Sequence, residues 1–240
     1  MAQNRARVAL VTGGSRGIGR AVVESLLDEG WLVYFCGRTQ GSVAEAETEL
    51  RTRFGNAVAG RAVDVRQEPA IKAWVDESLQ RSGRIDCLVN NAGVGIFAPV
   101  HELSGEAWRE VIETNLSGAF YAMRAVSTAM RKQGSGWIFN IASLAARNPF
   151  ASGAAYNASK FGMVGLSEAA MLDLRHQGIR VAAILPGSVD TEFGMERRDP
   201  DREWMLTPAD VARVVMDLLR FPDRALPSLV EIRPSQPPRR

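Results

Sequence analysis

The chain has 240 residues, 23% of them charged and 46% hydrophobic, a balance that excludes disordered, collagen-like and low-complexity classes. A formal net charge of +2, almost all of its positive side Arg, is too small to imply a nucleic-acid partner. No apolar run is long enough for a membrane span, and the first strand-like segment begins too early for a signal peptide. Cys36 and Cys87 close apolar runs, so buried free thiols and a reducing, cytoplasmic setting are expected.

Taken in order, short apolar runs alternate with longer segments of helical character. The strand candidates are "RVALVTG", "WLVYFCG", "AVAGRAVDV", "IDCLVNN", "GWIFNIAS", "IRVAAILPG" and "SLVEIRP". Their near-continuous apolar character is that of strands covered on both faces, as in parallel sheets. Residues 17–29, 42–53, 68–82, 105–132, 152–175 and 207–220 are each long enough for a helix. The repeated βαβ order predicts an α/β, doubly wound parallel sheet with right-handed crossovers. Gly30, Gly83, Gly134 and Gly178 each follow a proposed helix, where a left-handed residue ends it at little cost. Thr207, Pro208 and Asp210 have the pattern of an N-cap with proline at the first helical position. One domain spanning 1–240 is expected, ending in a frayed Pro/Arg tail from about 234.

After the first strand stands "TGGSRGIGRAV", with Gly13, Gly17 and Gly19 around Ser15, Arg16 and Ile18. Glycines there permit a tight strand-to-helix turn and let backbone approach a pyrophosphate at a helix N-terminus, where amides and dipole favour anions. The second strand ends "CGRT", without the carboxylate that would accept an unmodified ribose 2′-hydroxyl. Arg38 instead offers a planar fork suited to phosphate, and Arg16 can approach the same group. Two such cations favour NADP(H) over NAD(H).

"TGGSRGIG", "NNAG" at 90–93, "YNASK" at 156–160 and "PGSVDT" at 186–191 resemble, in order and spacing, the short-chain dehydrogenase/reductase family over residues 7 to about 192. The resemblance implies a Rossmann-type sheet of seven parallel strands, a nicotinamide cofactor, and hydride transfer to or from a carbonyl or alcohol carbon. The family's catalytic residues fall on Asn115, Ser143, Tyr156 and Lys160. Tyr156 would act as general acid in carbonyl reduction, and Lys160, one helical turn along on the same face, would lower its pKa by charge. Ser143 would hold the carbonyl oxygen, and Asn115 would support a water near the lysine. The remaining carried-over positions contact cofactor: Asp64 and Val65 beside adenine, Asn91, Ala92 and Gly93 at the fourth strand's end, and Pro186, Gly187, Val189 and Thr191 beside nicotinamide. His101 and His176 match nothing catalytic, and no metal-ligand cluster is present in the sequence.

Substrate choice is expected in loops at the carboxyl ends of the strands: Val94 to Phe97, Leu144 to Phe150, and a lid at about 188–206 carrying Phe193, Met195, Trp204 and Met205 among many charges. The chain resembles 3-oxoacyl-carrier-protein reductases through the catalytic helix but departs from them at its end, so a ketone, aldehyde or 3-oxoacyl group is equally compatible. A homodimer or homotetramer through helices 105–132 and 152–175 is implied by resemblance only. A catalytically silent NADP(H)-binding sensor or scaffold is the second reading, with oxidation of an alcohol as the reverse of the first; the full set of four catalytic residue types argues against silence.

Overall fold

The computed structural model describes residues 6–193 and 202–238. Strands β1 (Val8–Thr12), β2 (Leu32–Gly37), β3 (Val58–Ala62), β4 (Cys87–Asn90), β5 (Gly136–Ile141), β6 (Ile179–Pro186) and β7 (Leu229–Ile232) form one sheet in the order β3-β2-β1-β4-β5-β6-β7. Every neighbouring pair is parallel. Helices α1 (Gly17–Asp28), α2 (Gln40–Phe54), α3 (Glu68–Ser82), α4 (Gly105–Ile112), α5 (Gly118–Gln133), α6 (Ala154–Leu174) and α7 (Pro208–Leu219) supply the crossovers and coverings. This is a Rossmann-type, doubly wound α/β fold.

Both faces of each strand are apolar because both are covered. In β1, Ala9 and Val11 point to one side and join Val22, Leu26, Val43, Val211 and Val215 from α1, α2 and α7. Val8 and Leu10 point to the other and join Ile71, Trp74, Val126 and Met130 from α3 and α5. Cys36 and Cys87 belong to opposite faces of the sheet, so these free thiols cannot meet. Burial pushes the Cys36 thiol up to about 12 and Cys87 higher still, which leaves both protonated and inert.

Helix ends follow the sequence punctuation. Gly30, Gly83, Gly134 and Gly178 all have φ between 68° and 77°, and Thr207 and Asp210 form a reciprocal capping box with Pro208 in the first turn. The expected single helix 105–132 is different: α4 and α5 are joined by one π-helical turn, Glu113–Ser117. The extra residue turns Asn115 fully inward, where it is 0% exposed. The C-terminal segment holds to the fold as far as Pro234. Gly187 donates its N–H to the Ile232 carbonyl at 2.8 Å, and Pro234 lies against Gly187; exposure is continuous only over residues 235–238. Among the described residues no helix is long and apolar enough to cross a membrane.

Strand order reverses between β1 and β4. The crossovers on either side run in opposite directions, which opens a crevice at the carboxyl ends of those strands.

Candidate active site

A cavity of about 940 Å³ occupies this crevice. It is lined by Gly13, Ser15, Arg16, Gly17, Ile18, Arg38, Asp64, Val65, Asn91, Ala92, Gly93, Ser143, Tyr156, Lys160, Pro186, Gly187, Val189 and Thr191. Those are all the expected site residues except Gly19 and Asn115, which stand behind the wall and shape it.

At the β1 end the loop is built for close approach. Gly13 has φ +66°, a left-handed conformation that a side chain would strain. A Cβ on Gly19 would lie 2.1 Å from the Gly13 carbonyl oxygen and 2.4 Å from Asn91 Nδ2, so helix α1 begins flush against the loop. Asn91 donates from Nδ2 to the carbonyl oxygens of Thr12 and Gly13 at 3.2 and 3.1 Å, while Thr12 Oγ1 accepts from the N–H groups of Asn91 and Ala92 at 3.0 and 3.1 Å. Asn91 thus ties the loop to β4. The resulting cradle, with bare backbone at a helix N-terminus, fits the pyrophosphate of a dinucleotide.

Arg16 and Arg38 both reach this cavity, and each holds a carboxylate. Arg16 Nη1 donates to Glu192 Oε2 at 3.1 Å, and Arg38 Nη1 donates to Glu110 Oε1 at 3.0 Å. Both arginines are largely exposed, at 74% and 59% of their side chains, so these partners are readily exchanged for another anion. Asp64 is clamped by Arg66, whose Nε reaches both carboxylate oxygens at 2.9 and 3.0 Å. That hydrogen bonding holds Asp64 below the usual carboxylate range.

The four residues assigned to catalysis gather at the opposite end. Tyr156 and Lys160 face the cavity from the first turns of α6, and Ser143 follows β5. Burial pushes the Tyr156 phenol above its ordinary value, while the Ser143 hydroxyl acts the other way. Lys160 is buried, its Nζ donating to the Ile141 carbonyl at 2.9 Å. Loss of water brings its pKa down to about 8. The expected net lowering of Tyr156 is not what the structure gives: burial outweighs the opposing influences, with Lys160 Nζ 5.6 Å from the phenol ring centroid and bonded to Ile141.

Asn115 bonds to backbone. Its Oδ1 accepts from Val94 N–H at 2.8 Å, and Nδ2 donates to the Val94 carbonyl at 2.9 Å and to Ser159 Oγ at 3.0 Å. Ser159 Oγ in turn donates to the Tyr156 carbonyl at 2.8 Å. One amide therefore couples the π turn, the loop after β4 and helix α6. Ser159 lies inside "YNASK" but has no assigned role there, since a serine facing its own helix backbone is a common local bond. Glu110 and Glu192, the partners of the arginines, were equally invisible: they lie 72 and 176 residues away in the chain.

Of the expected substrate loops, Phe97, Phe150 and Phe193 surround Tyr156 with ring-centroid distances of 5.7, 6.3 and 5.7 Å. The stems of the expected lid are joined by hydrogen bonds between Asp190 N–H and the Leu206 carbonyl and between Leu206 N–H and the Ser188 carbonyl, at 2.8 and 3.0 Å. Arg202 Nη1 spans them to Asp190 Oδ1 at 2.6 Å. Met205 lines the cavity; Met195 and the rest of 194–201 lie outside the described residues. His101 is exposed beside Glu102, and His176 borders a separate depression. Among the described residues no cluster of three potential metal ligands occurs.

The family model for short chain dehydrogenases matches residues 7–202. A 3-oxoacyl-[acyl-carrier-protein] reductase of Staphylococcus aureus is 35% identical over 213 residues, covering 87% of this chain and 85% of that one. A metagenomic short-chain oxidoreductase solved in complex with NADP is 38% identical, with TM-score 0.83 over 96% of this chain and 98% of that one. A single-residue variant of actinorhodin polyketide ketoreductase, solved with NADPH, is 33% identical, with TM-score 0.88 over 98% of both chains. The match across most of the chain agrees with the glycine cradle, the switch-point crevice and the Tyr156/Lys160 pair, and this protein belongs to the short-chain dehydrogenase family of oxidoreductases.

Proposed function

We propose that the protein reduces a carbonyl, in a ketone, aldehyde or 3-oxoacyl group, to an alcohol with NADPH. The observation that carries the reading is that Tyr156, Ser143 and Lys160 line one cavity with the glycine cradle and two exchangeable arginines. Two similar structures hold NADP or NADPH, and the exposed guanidinium forks of Arg16 and Arg38 suit a 2′-phosphate. Gly13, Gly17 and Ile18 would hold the pyrophosphate, Asp64 and Val65 the adenine end, and Pro186, Gly187, Val189 and Thr191 the nicotinamide end. The bound cofactor supplies a hydride.

The protein side of the reaction follows from the site. Ser143 Oγ hydrogen-bonds the carbonyl oxygen and Tyr156 gives that oxygen its phenolic proton as negative charge develops there. Burial keeps the phenol protonated, so Tyr156 holds the proton that carbonyl reduction consumes. Lys160, fixed on Ile141, keeps a positive charge near the phenolate left after transfer. Asn115 acts through position, holding the Val94 loop and α6 in register.

Exposed Trp108, Phe120, Phe161 and Leu172 on α4, α5 and α6 support a homodimer or homotetramer, which light scattering after gel filtration tests. The activity itself is tested by titrating the protein with NADPH and NADH and then following NADPH absorbance with ketones, aldehydes and 3-oxoacyl thioesters. Tighter binding of NADPH and its carbonyl-dependent oxidation are expected; equal affinity for both cofactors, or no oxidation with any carbonyl class, would overturn the reading.

A further inference from the structure

Tyr156 is surrounded by aromatic rings from three separate loops, and none of them is needed for proton transfer. Phe97 meets Tyr156 edge-on at an interplanar angle of 69°, Phe193 meets it at 51°, and Phe97 and Phe150 touch each other at 5.7 Å and 54°. The loops are tied together: Ala98 N–H donates to the Ser152 carbonyl at 2.9 Å, and Ala98 pairs with Gly153 in an isolated bridge. Gly95 lies beneath, where a Cβ would come within 2.7 Å of Phe97 and 3.0 Å of Phe193. Phe97 and Phe150 thus stand on tied loops, and Phe193 closes the third side.

Its rings are also unfinished as a core. Phe97, Phe150 and Phe193 remain 42%, 46% and 38% exposed, although all three line the cavity that Tyr156 faces. Of the acidic neighbours of Phe193, Asp190 is held by Arg202 at 2.6 Å, while Glu192, paired with Arg16 at 3.1 Å in the cofactor-free protein, is released where a 2′-phosphate takes Arg16, so this rim disfavours an anionic substrate. A neutral group with its own π face or edge fits such walls, because tilted and edge-to-face ring contacts gain beyond area burial.

We infer that Phe97, Phe150 and Phe193 form an aryl subsite, so that the substrate, on the carbonyl-reduction reading above, is a neutral aromatic ketone or aldehyde with the ring bonded directly to the carbonyl carbon. In such a compound ring and carbonyl are conjugated and coplanar. Seating the ring among the phenylalanines therefore brings the oxygen to the adjacent Tyr156 and Ser143. An acyl chain would gain only burial from the same walls.

The test compares acetophenone with cyclohexyl methyl ketone, equal in carbon count and differing in the ring, by NADPH oxidation. In parallel, ligand-observed NMR compares binding of 1-phenylethanol and 1-cyclohexylethanol to the NADPH-free protein. The wild type is expected to favour the aryl ketone by at least about tenfold in kcat/KM and to bind the aryl alcohol selectively. Phe97→Leu and Phe150→Leu, each keeping an apolar side chain at a half-exposed position, are expected to reduce that ratio several-fold. Reduction of both ketones at equal efficiency would overturn the aryl subsite and leave carbonyl reduction standing. Selective binding of 1-phenylethanol without reduction of either ketone would support the subsite and sink the reductase reading, whereas absence of selectivity in both readouts would overturn the subsite.

Discussion

Lys160 and Ile141 are joined by a hydrogen bond of 2.9 Å from Nζ to the backbone carbonyl. The bond fixes the only cation buried beside the Tyr156 ring among the described residues, 5.6 Å from the ring centroid, and burial remains the largest influence on the acidity of Tyr156. Lys160 is then a positioned charge one step removed from the proton donor.

That placement has a measurable pH signature. Burial lowers Lys160 to about 8 in the folded protein, against 10.5 for the free side chain. Between those values the folded state binds fewer protons than the unfolded chain, so this group's contribution rises with pH; it is fully present above about 10.5 and lost as pH falls through about 8. Comparing wild type with Lys160→Met cancels the opposite contributions of Tyr156, Cys36 and Cys87. Denaturation at pH 7.5 and pH 10 is expected to show wild type gaining on the variant by about 1–3 kcal/mol at the higher pH. A pH-independent difference would mean that Lys160 is not desolvated.

Arg38 and Glu110 form an exposed pair, which on the proposed cofactor placement the 2′-phosphate of NADPH displaces. Glu110→Gln is expected to tighten NADPH by about two- to fivefold, the scale of one surface ion pair, and to leave NADH unchanged. Arg38→Ala should weaken NADPH by about tenfold or more, the scale of one charge-assisted hydrogen bond, with little effect on NADH. Fluorescence titration with both cofactors checks this, and parallel changes for the two cofactors would remove the phosphate contact.

Gly19 and Gly41 provide a contrast in what a methyl group costs. At Gly19 it would strike the Gly13 carbonyl oxygen and Asn91, whereas at Gly41, in α2, nothing lies within 4 Å. Gly19→Ala is expected to lose about 1–3 kcal/mol of stability and at least about tenfold in cofactor affinity. Gly41→Ala should be neutral or stabilising by up to about 1 kcal/mol. Thermal melts and NADPH titration separate the two, and a Gly19→Ala protein binding normally would show that the cradle is not needed tight.

The fold was legible because its cues are local and redundant. Apolar runs marked the seven strands, and Gly30, Gly83, Gly134 and Gly178 marked helix ends that all prove left-handed. The motif positions converge in space: the cavity is lined by all of them except Gly19 and Asn115. Three things were not legible, each for a long-range reason. The π turn at 113–117 depends on Asn115 finding Val94 and Ser159, which a helical period does not encode. The direction of the Tyr156 shift depends on how deeply the folded chain buries the ring. The partners of Arg16 and Arg38 come from distant segments, and exposed carboxylates carry no local signal.

The central claim, that Tyr156 is the proton donor of an NADPH-dependent carbonyl reduction, is tested most directly by Tyr156→Phe. The variant removes one hydroxyl from a ring whose packing against Phe97 and Phe193 remains. NADPH affinity by fluorescence titration is expected to match wild type, and kcat for the best carbonyl substrate to fall at least about a hundredfold, the scale of losing a general acid. Undiminished turnover by Tyr156→Phe would contradict the account.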